Sequence, residues 1–208
     1  MIVFIFVSII LLIILLRPRY QHPRVIRNVF SHKVCDHIIE LATPNLKPSL
    51  VGTTSEGGSV DTSERKSETA WLAPDTSDTV RRVMDKCVST TDRQFANAEY
   101  LQVLKYQPGG FYNPHQDVFD RREEPNPRVN TCIIALNDDY EGGETVFPTL
   151  QKEYKLNKGD VLLFNTLNDW GFQTQKALHG GKSVISGEKW VCNLWIHQYP
   201  YDQHAPYR

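Results

Sequence analysis

In the stretch Asn113-Pro114-His115-Gln116-Asp117 a histidine and an aspartate are separated by one residue, shortly after the turn signal Pro108-Gly109-Gly110. In an extended strand, residues i and i+2 point to the same face, so His115 and Asp117 can aim an imidazole and a carboxylate at one ion. Such pairs are common and usually hold nothing, so a third ligand is needed, from a strand distant in sequence and adjacent in space. His22, His32 and His37 precede the strand-rich region, His204 lies in the polar tail, and His197 falls late in a strand. His179, in Lys176-Ala177-Leu178-His179-Gly180-Gly181, stands at the start of a strand, beside glycines that permit close backbone approach. It is the best third candidate. Two histidines and one carboxylate leave three positions open on an octahedral ion and suit non-haem Fe(II), whereas zinc more often takes a closed tetrahedral set.

Lys189 follows His179 by ten residues. Glu188 and Trp190 share one strand face, which leaves Lys189 on the other. A solvated surface lysine is the ordinary reading. A buried lysine is costly without an anionic partner, so an inward Lys189 beside a metal would bind the carboxylate of a small ligand.

These side chains need a scaffold. Ser31 opens a helical pattern as N-cap, with Val34, Ile38, Ile39 and Leu41 on one side, ending before Pro44. Residues 52–69 are polar and rich in Gly and Ser and read as a mobile loop, a candidate lid. A second helical pattern runs over 75–95, carried by Val80, Val83, Met84, Cys87 and Val88. From there the pattern is that of strands: 99–106, 130–136, 144–147, 160–165, 183–185 and 189–197, separated by Gly, Pro and Asn turns. Helices first and strands later predict an α+β chain with N-terminal supporting helices and a jelly-roll core.

The chain has 208 residues and a formal net charge of −1, which argues against a broad nucleic-acid surface. Its four cysteines, Cys35, Cys87, Cys132 and Cys192, form no CxxC pair; free thiols are expected and a structural zinc site is not. Residues 1–16, MIVFIFVSIILLIILL, contain one polar residue, Ser8. The run is short but long enough to read as a retained single-pass membrane-anchor helix, and it lacks the basic start and small-residue cleavage site of a signal peptide. Residues 17–24 read as a linker and 25–208 as the catalytic domain. Arg17, Arg19, Arg24 and Arg27 all follow the apolar run, so the positive-inside rule weakly favours a cytoplasmic catalytic domain.

The sequence resembles the prolyl 4-hydroxylase family of Fe(II)/2-oxoglutarate dioxygenases over residues 25–200. Arg65 to Leu72 is similar to the family's R-x-S-x-x-A-W-L segment, and Tyr106 to Asp117 to its Y-x-x-G-x-x-Y-x-P-H-x-D segment. Arg128-Val129-Asn130-Thr131 and Gly142 to Pro148 match two more, and His179, Lys189 and Trp195 have the family's closing spacing. The resemblance implies a double-stranded β-helix in which His115, Asp117 and His179 bind Fe(II). Lys189 would pair with the distal carboxylate of 2-oxoglutarate, with Tyr106 and Thr131 nearby. Tyr112, Arg128 and Trp195 would position a proline-rich or collagen-like peptide, with Trp71 adding to the lining. Core packing is the plain alternative for the aromatics, and a loop cap with Glu123 or Glu124 for Arg128. The resemblance further implies O2 as co-substrate, L-ascorbate as reductant, 4-hydroxyproline, succinate and CO2 as products, and an endomembrane location. An oxygenase acting on another residue such as lysine, a non-catalytic module of the same fold, and a zinc hydrolase are the rival readings; the intact metal and lysine set argues against the last two, and the resemblance places an arginine in lysyl hydroxylases where this chain has Lys189, which favours proline.

Overall fold

The computed structural model describes residues 17–51, 58–119 and 125–202. Two α-helices lie in the N-terminal half of the described chain. Helix α1 (His32–Ala42) is capped by Ser31, whose side chain accepts from the Val34 N–H. Helix α2 (Asp78–Val88) is capped by Ser77 in the same way and carries Asp78 in its first turn and Lys86 in its last, both of which complement the helix dipole. It is shorter than its apolar pattern. The hydroxyls of Thr90 and Thr91 donate to the carbonyls of Cys87 and Val88, and so close the helix end.

The strands are β1 (Arg24–Ile26), β2 (Lys47–Pro48), β3 (Arg65–Lys66), β4 (Glu68–Leu72), β5 (Leu101–Tyr106), β6 (Phe111–His115) and β7 (Arg128–Ala135). They continue with β8 (Glu141–Gly142), β9 (Thr145–Phe147), β10 (Lys152–Tyr154), β11 (Val161–Asn165), β12 (His179–Gly181), β13 (Val184–Ser186) and β14 (Lys189–His197). One sheet runs β1-β11-β7-β14-β5-β4-β2, the second β10-β9-β12-β6-β3, and β13 pairs with β8. The named pairings are antiparallel, as a jelly roll requires. Residues 65–69, the end of the expected mobile loop, form β3 and the start of β4 instead. β4 pairs with β5 over its full length, from Glu68 opposite Lys105 to Leu72 opposite Leu101.

Strand β14 shows how the large sheet divides the interior. Trp190, Cys192, Leu194 and Ile196 face the helices and join Cys35, Ile38, Val83, Met84 and Cys87 in one core cluster. Val191, on the opposite face, joins Leu104, Tyr106, Ile133, Phe147, Leu162 and Phe164 between the two sheets. Each fully buried Ile or Leu contributes roughly 1.5–3 kcal/mol, so both faces of β14 fix its register. Lys189 stands on the inner face, with the second cluster.

Residues 17–24, read as a linker, lie along β11. The Tyr20 hydroxyl donates to the Asn165 carbonyl at 2.8 Å, and Arg19 and Asp169 exchange hydrogen bonds. The four cysteines are free and buried. The expectation of a single-pass, membrane-anchored chain is corrected: among the described residues no helix is long and apolar enough to cross a membrane. The apolar run 1–16 on which it rested lies outside the described residues.

Candidate active site

Strand β6 ends at His115, and β12 begins at His179 directly opposite it. Asp117 lies in the bend just after β6, so the chain turns its carboxylate toward the two imidazoles instead of continuing the strand. The approach of β12 to β6 depends on Gly180: a Cβ there would lie 2.8 Å from the Tyr112 carbonyl oxygen, a backbone atom that cannot yield. His115 Nε2 is 3.6 Å from Asp117 Oδ1, and His179 Nε2 is 3.6 Å from Asp117 Oδ2. One ligand atom from each of the three lies within 4.8 Å of the others.

Backbone carbonyls orient both rings. His115 Nδ1 meets the Asn113 carbonyl at 2.9 Å and His179 Nδ1 the Ala177 carbonyl at 3.1 Å. A carbonyl only accepts, so each Nδ1 carries the proton and each Nε2 presents a lone pair. Burial pushes the His179 imidazole down to about 4, against the opposing pull of Asp117, so it stays neutral and able to ligate. Burial alone would raise the Asp117 carboxyl. His179, His115 and Arg128 outweigh it and hold that carboxyl well below the usual range. Thr131 Oγ1 donates to Asp117 Oδ2 at 2.7 Å and is thus engaged with the carboxylate. The donor set is anionic, pre-oriented and confined to one face, and it fits a ferrous ion with open positions.

Lys189 is buried, 6 % exposed, on the inner face of β14 opposite Tyr106. Its ammonium donates to the Gly143 carbonyl at 2.7 Å and lies 5.3 Å from the Tyr106 ring centroid. Among the described residues it has no carboxylate partner. Gly181 lies beside it, where an added Cβ would reach Nζ only at ordinary contact distance, 4.0 Å. A buried cation with one neutral acceptor is the complement of a carboxylate-bearing ligand.

Tyr112 stacks on His115 with ring centroids 3.6 Å apart, and the Arg65 guanidinium covers its ring at 4.6 Å. Arg128 is held by Glu99 in a two-point ion pair and lies 3.9 Å over the Trp195 ring. Trp195 meets the half-exposed Trp71 at 6.0 Å. Glu99 also takes His197 Nε2 at 2.7 Å. The loop-cap alternative for Arg128 falls on Glu123 and Glu124, outside the described residues. Sequence reasoning missed Glu99 and weighed His197 only as a metal ligand. Glu99 precedes β5 and His197 ends β14, strands that lie side by side, and no single strand's pattern shows that adjacency.

The fold and this donor set define a mononuclear iron oxygenase site. Residues 101–197 match the 2OG-Fe(II) oxygenase superfamily. The chain is 34 % identical over 188 residues to "Probable prolyl 4-hydroxylase 7" of Arabidopsis thaliana, covering 80 % of this chain and 60 % of that protein. It is 32 % identical to prolyl 4-hydroxylase 1 of the same plant, covering 85 % of this chain and 69 % of that protein. Among solved structures, the viral collagen prolyl hydroxylase of Paramecium Bursaria Chlorella virus-1, in complex with 2OG, superposes with a TM-score of 0.69 at 26 % identity. That match covers 86 % of this chain and 97 % of the viral one. The chain belongs to the prolyl 4-hydroxylase family, whose superfamily uses Fe(II) and 2-oxoglutarate.

Proposed function

We propose that residues 25–208 form an Fe(II)- and 2-oxoglutarate-dependent dioxygenase that converts peptidyl proline to 4-hydroxyproline in proline-rich or collagen-like segments. The observation that carries this reading is the buried Lys189 ammonium, with no carboxylate in ion-pair contact among the described residues, in the same interior as the His115, Asp117 and His179 donors. Bound iron and 2-oxoglutarate supply the chemistry, oxidative decarboxylation of the keto acid by O2 to succinate and CO2 with one oxygen atom inserted into a C–H bond.

The chain's own residues position and shield. His115, Asp117 and His179 would hold the metal. Lys189 holds the distal carboxylate, with Tyr106 beside it. Thr131 keeps Asp117 aimed through its hydrogen bond to Oδ2. Tyr112, Trp195, Arg128 and Trp71 supply an aromatic and cationic wall suited to a polyproline II segment, which arrives preformed with its backbone carbonyls free. The viral structural relative is named a collagen prolyl hydroxylase, which supports peptidyl proline as the target class. L-ascorbate is the reductant expected to restore activity after turnover without peptide.

The test is anaerobically loaded protein, given O2 and a Pro-Pro-Gly or polyproline peptide. Succinate release together with a proline residue heavier by one oxygen atom is the expected result. Succinate release driven only by lysine-bearing peptides, or none with any peptide, overturns the reading.

A further inference from the structure

The carbonyl that receives Lys189 belongs to a loop with an unusual clamp. Gly142 and Gly143 both have positive φ, +69° and +65°. A Cβ on Gly143 would lie 3.1 Å from Lys189 Cδ and 3.2 Å from Tyr140 Cε2, so the loop wraps the lysine stem closely. Lys155, just beyond β10, donates from Nζ to the Tyr140 carbonyl at 2.8 Å and to the Gly142 carbonyl at 2.9 Å. The same ammonium sits 3.4 Å from the Tyr140 ring centroid. Leu156, the next residue, is buried in the inter-sheet cluster and fixes the backbone at this point. Three carbonyls of one short loop are therefore held by two lysines, the exposed Lys155 and the buried Lys189.

We propose that Lys155 is a positioning residue for Lys189: by clamping residues 140–143 it sets where the Gly143 carbonyl holds the Lys189 ammonium, and so where that ammonium meets a dicarboxylate. This rests on the reading of Lys189 as the 2-oxoglutarate group. Two of the three Lys155 donors are spent on carbonyls, which suits a clamp better than a direct ligand. The second positive charge also adds to the field that attracts a dianion.

The experiment compares the wild-type chain with Lys155→Met, Lys155→Arg and, as a control, Lys152→Met, an exposed lysine on β10. Binding of 2-oxoglutarate to the iron-loaded protein is measured anaerobically by calorimetry, alongside KM for 2-oxoglutarate and for peptide, and the melting temperature without ligand. Lys155→Met is expected to weaken 2-oxoglutarate binding about tenfold, the scale of losing hydrogen bonds from a charged donor. Peptide KM should stay within about twofold, since nothing in the clamp reaches the Trp195 wall, and an unchanged melting temperature excludes misfolding as the cause. Lys155→Arg should restore most of the affinity, and Lys152→Met should leave it intact. Unchanged binding in Lys155→Met, an equal loss for peptide, a loss shared by Lys152→Met, or no rescue by arginine overturns the proposal. A wild-type protein that binds no 2-oxoglutarate would instead overturn the reading of Lys189 itself.

Discussion

The Thr131 hydroxyl, on the inner face of β7, donates to Asp117 Oδ2 at 2.7 Å, joining the large sheet to the bend that carries the carboxylate. It leaves Oδ1 turned toward His115. Thr131→Val removes the bond and keeps the shape. Iron affinity should fall about 10–100-fold, as for other lost partners of a ligating carboxylate, and excess iron should recover activity. Anaerobic ferrous titration reads the effect, and an unshifted curve would show that Asp117 orients itself without help.

Lys189 supplies the second prediction. Burial pushes its ammonium down to about 8, and the charge of Lys155 adds to this. The charged form therefore prevails below about 8 and is lost as pH rises through that value. Affinity for 2-oxoglutarate should decline on the alkaline side, whereas Lys189→Arg, always cationic, should not show that decline. Lys189→Ala should abolish 2-oxoglutarate binding while iron still binds. Loss of iron as well would mean that Lys189 serves the metal site.

Glu99 predicts an acid limb in stability. Burial alone would raise its carboxyl, but Arg128 and His197 outweigh burial and hold it below the usual glutamate value. Its contribution is therefore complete above the unfolded value of about 4.3 and is lost as pH falls through the lower folded value. Glu99→Ala leaves Arg128 buried without this partner and should cost about 3–5 kcal/mol at neutral pH. Urea unfolding at neutral and acid pH should show the gap between wild type and variant narrowing as pH falls. A gap that widens would refute the assignment.

Trp71 is half-exposed and leans on Trp195. Trp71→Ala should raise the peptide KM roughly three- to tenfold, the scale of one aromatic contact, and leave 2-oxoglutarate binding unchanged. Initial rates with a prolyl peptide check this; a changed KM for the keto acid alone would place Trp71 elsewhere.

The site was more legible in the sequence than the frame around it. The i, i+2 argument joins His115 to Asp117, although β6 stops at His115 and it is the bend after it that turns the carboxylate toward the imidazoles. Glycines after His179 disclosed the close approach of β12. Alternation in β14 separated Lys189 from the face of Glu188 and Trp190, but spacing alone left it as readily solvated as buried, and only the resemblance pointed it inward. By contrast β3, β8 and β10 are only two or three residues long and too polar for a period to show, and β4 is only five residues long. Their pairing is set by neighbours far along the chain. The Glu99, Arg128 and His197 cluster was hidden for the same reason, since it exists only once β5, β14 and β7 lie side by side.

Strand β14 is a partition with different contents on its two sides. Were it to slip by one residue against β5 and β7, Trp190 would be thrust toward the keto acid and an ammonium driven among the helix-facing thiols and aliphatics. Length changes within 189–197 should thus be forbidden to any functioning descendant of this chain, however freely its turns drift.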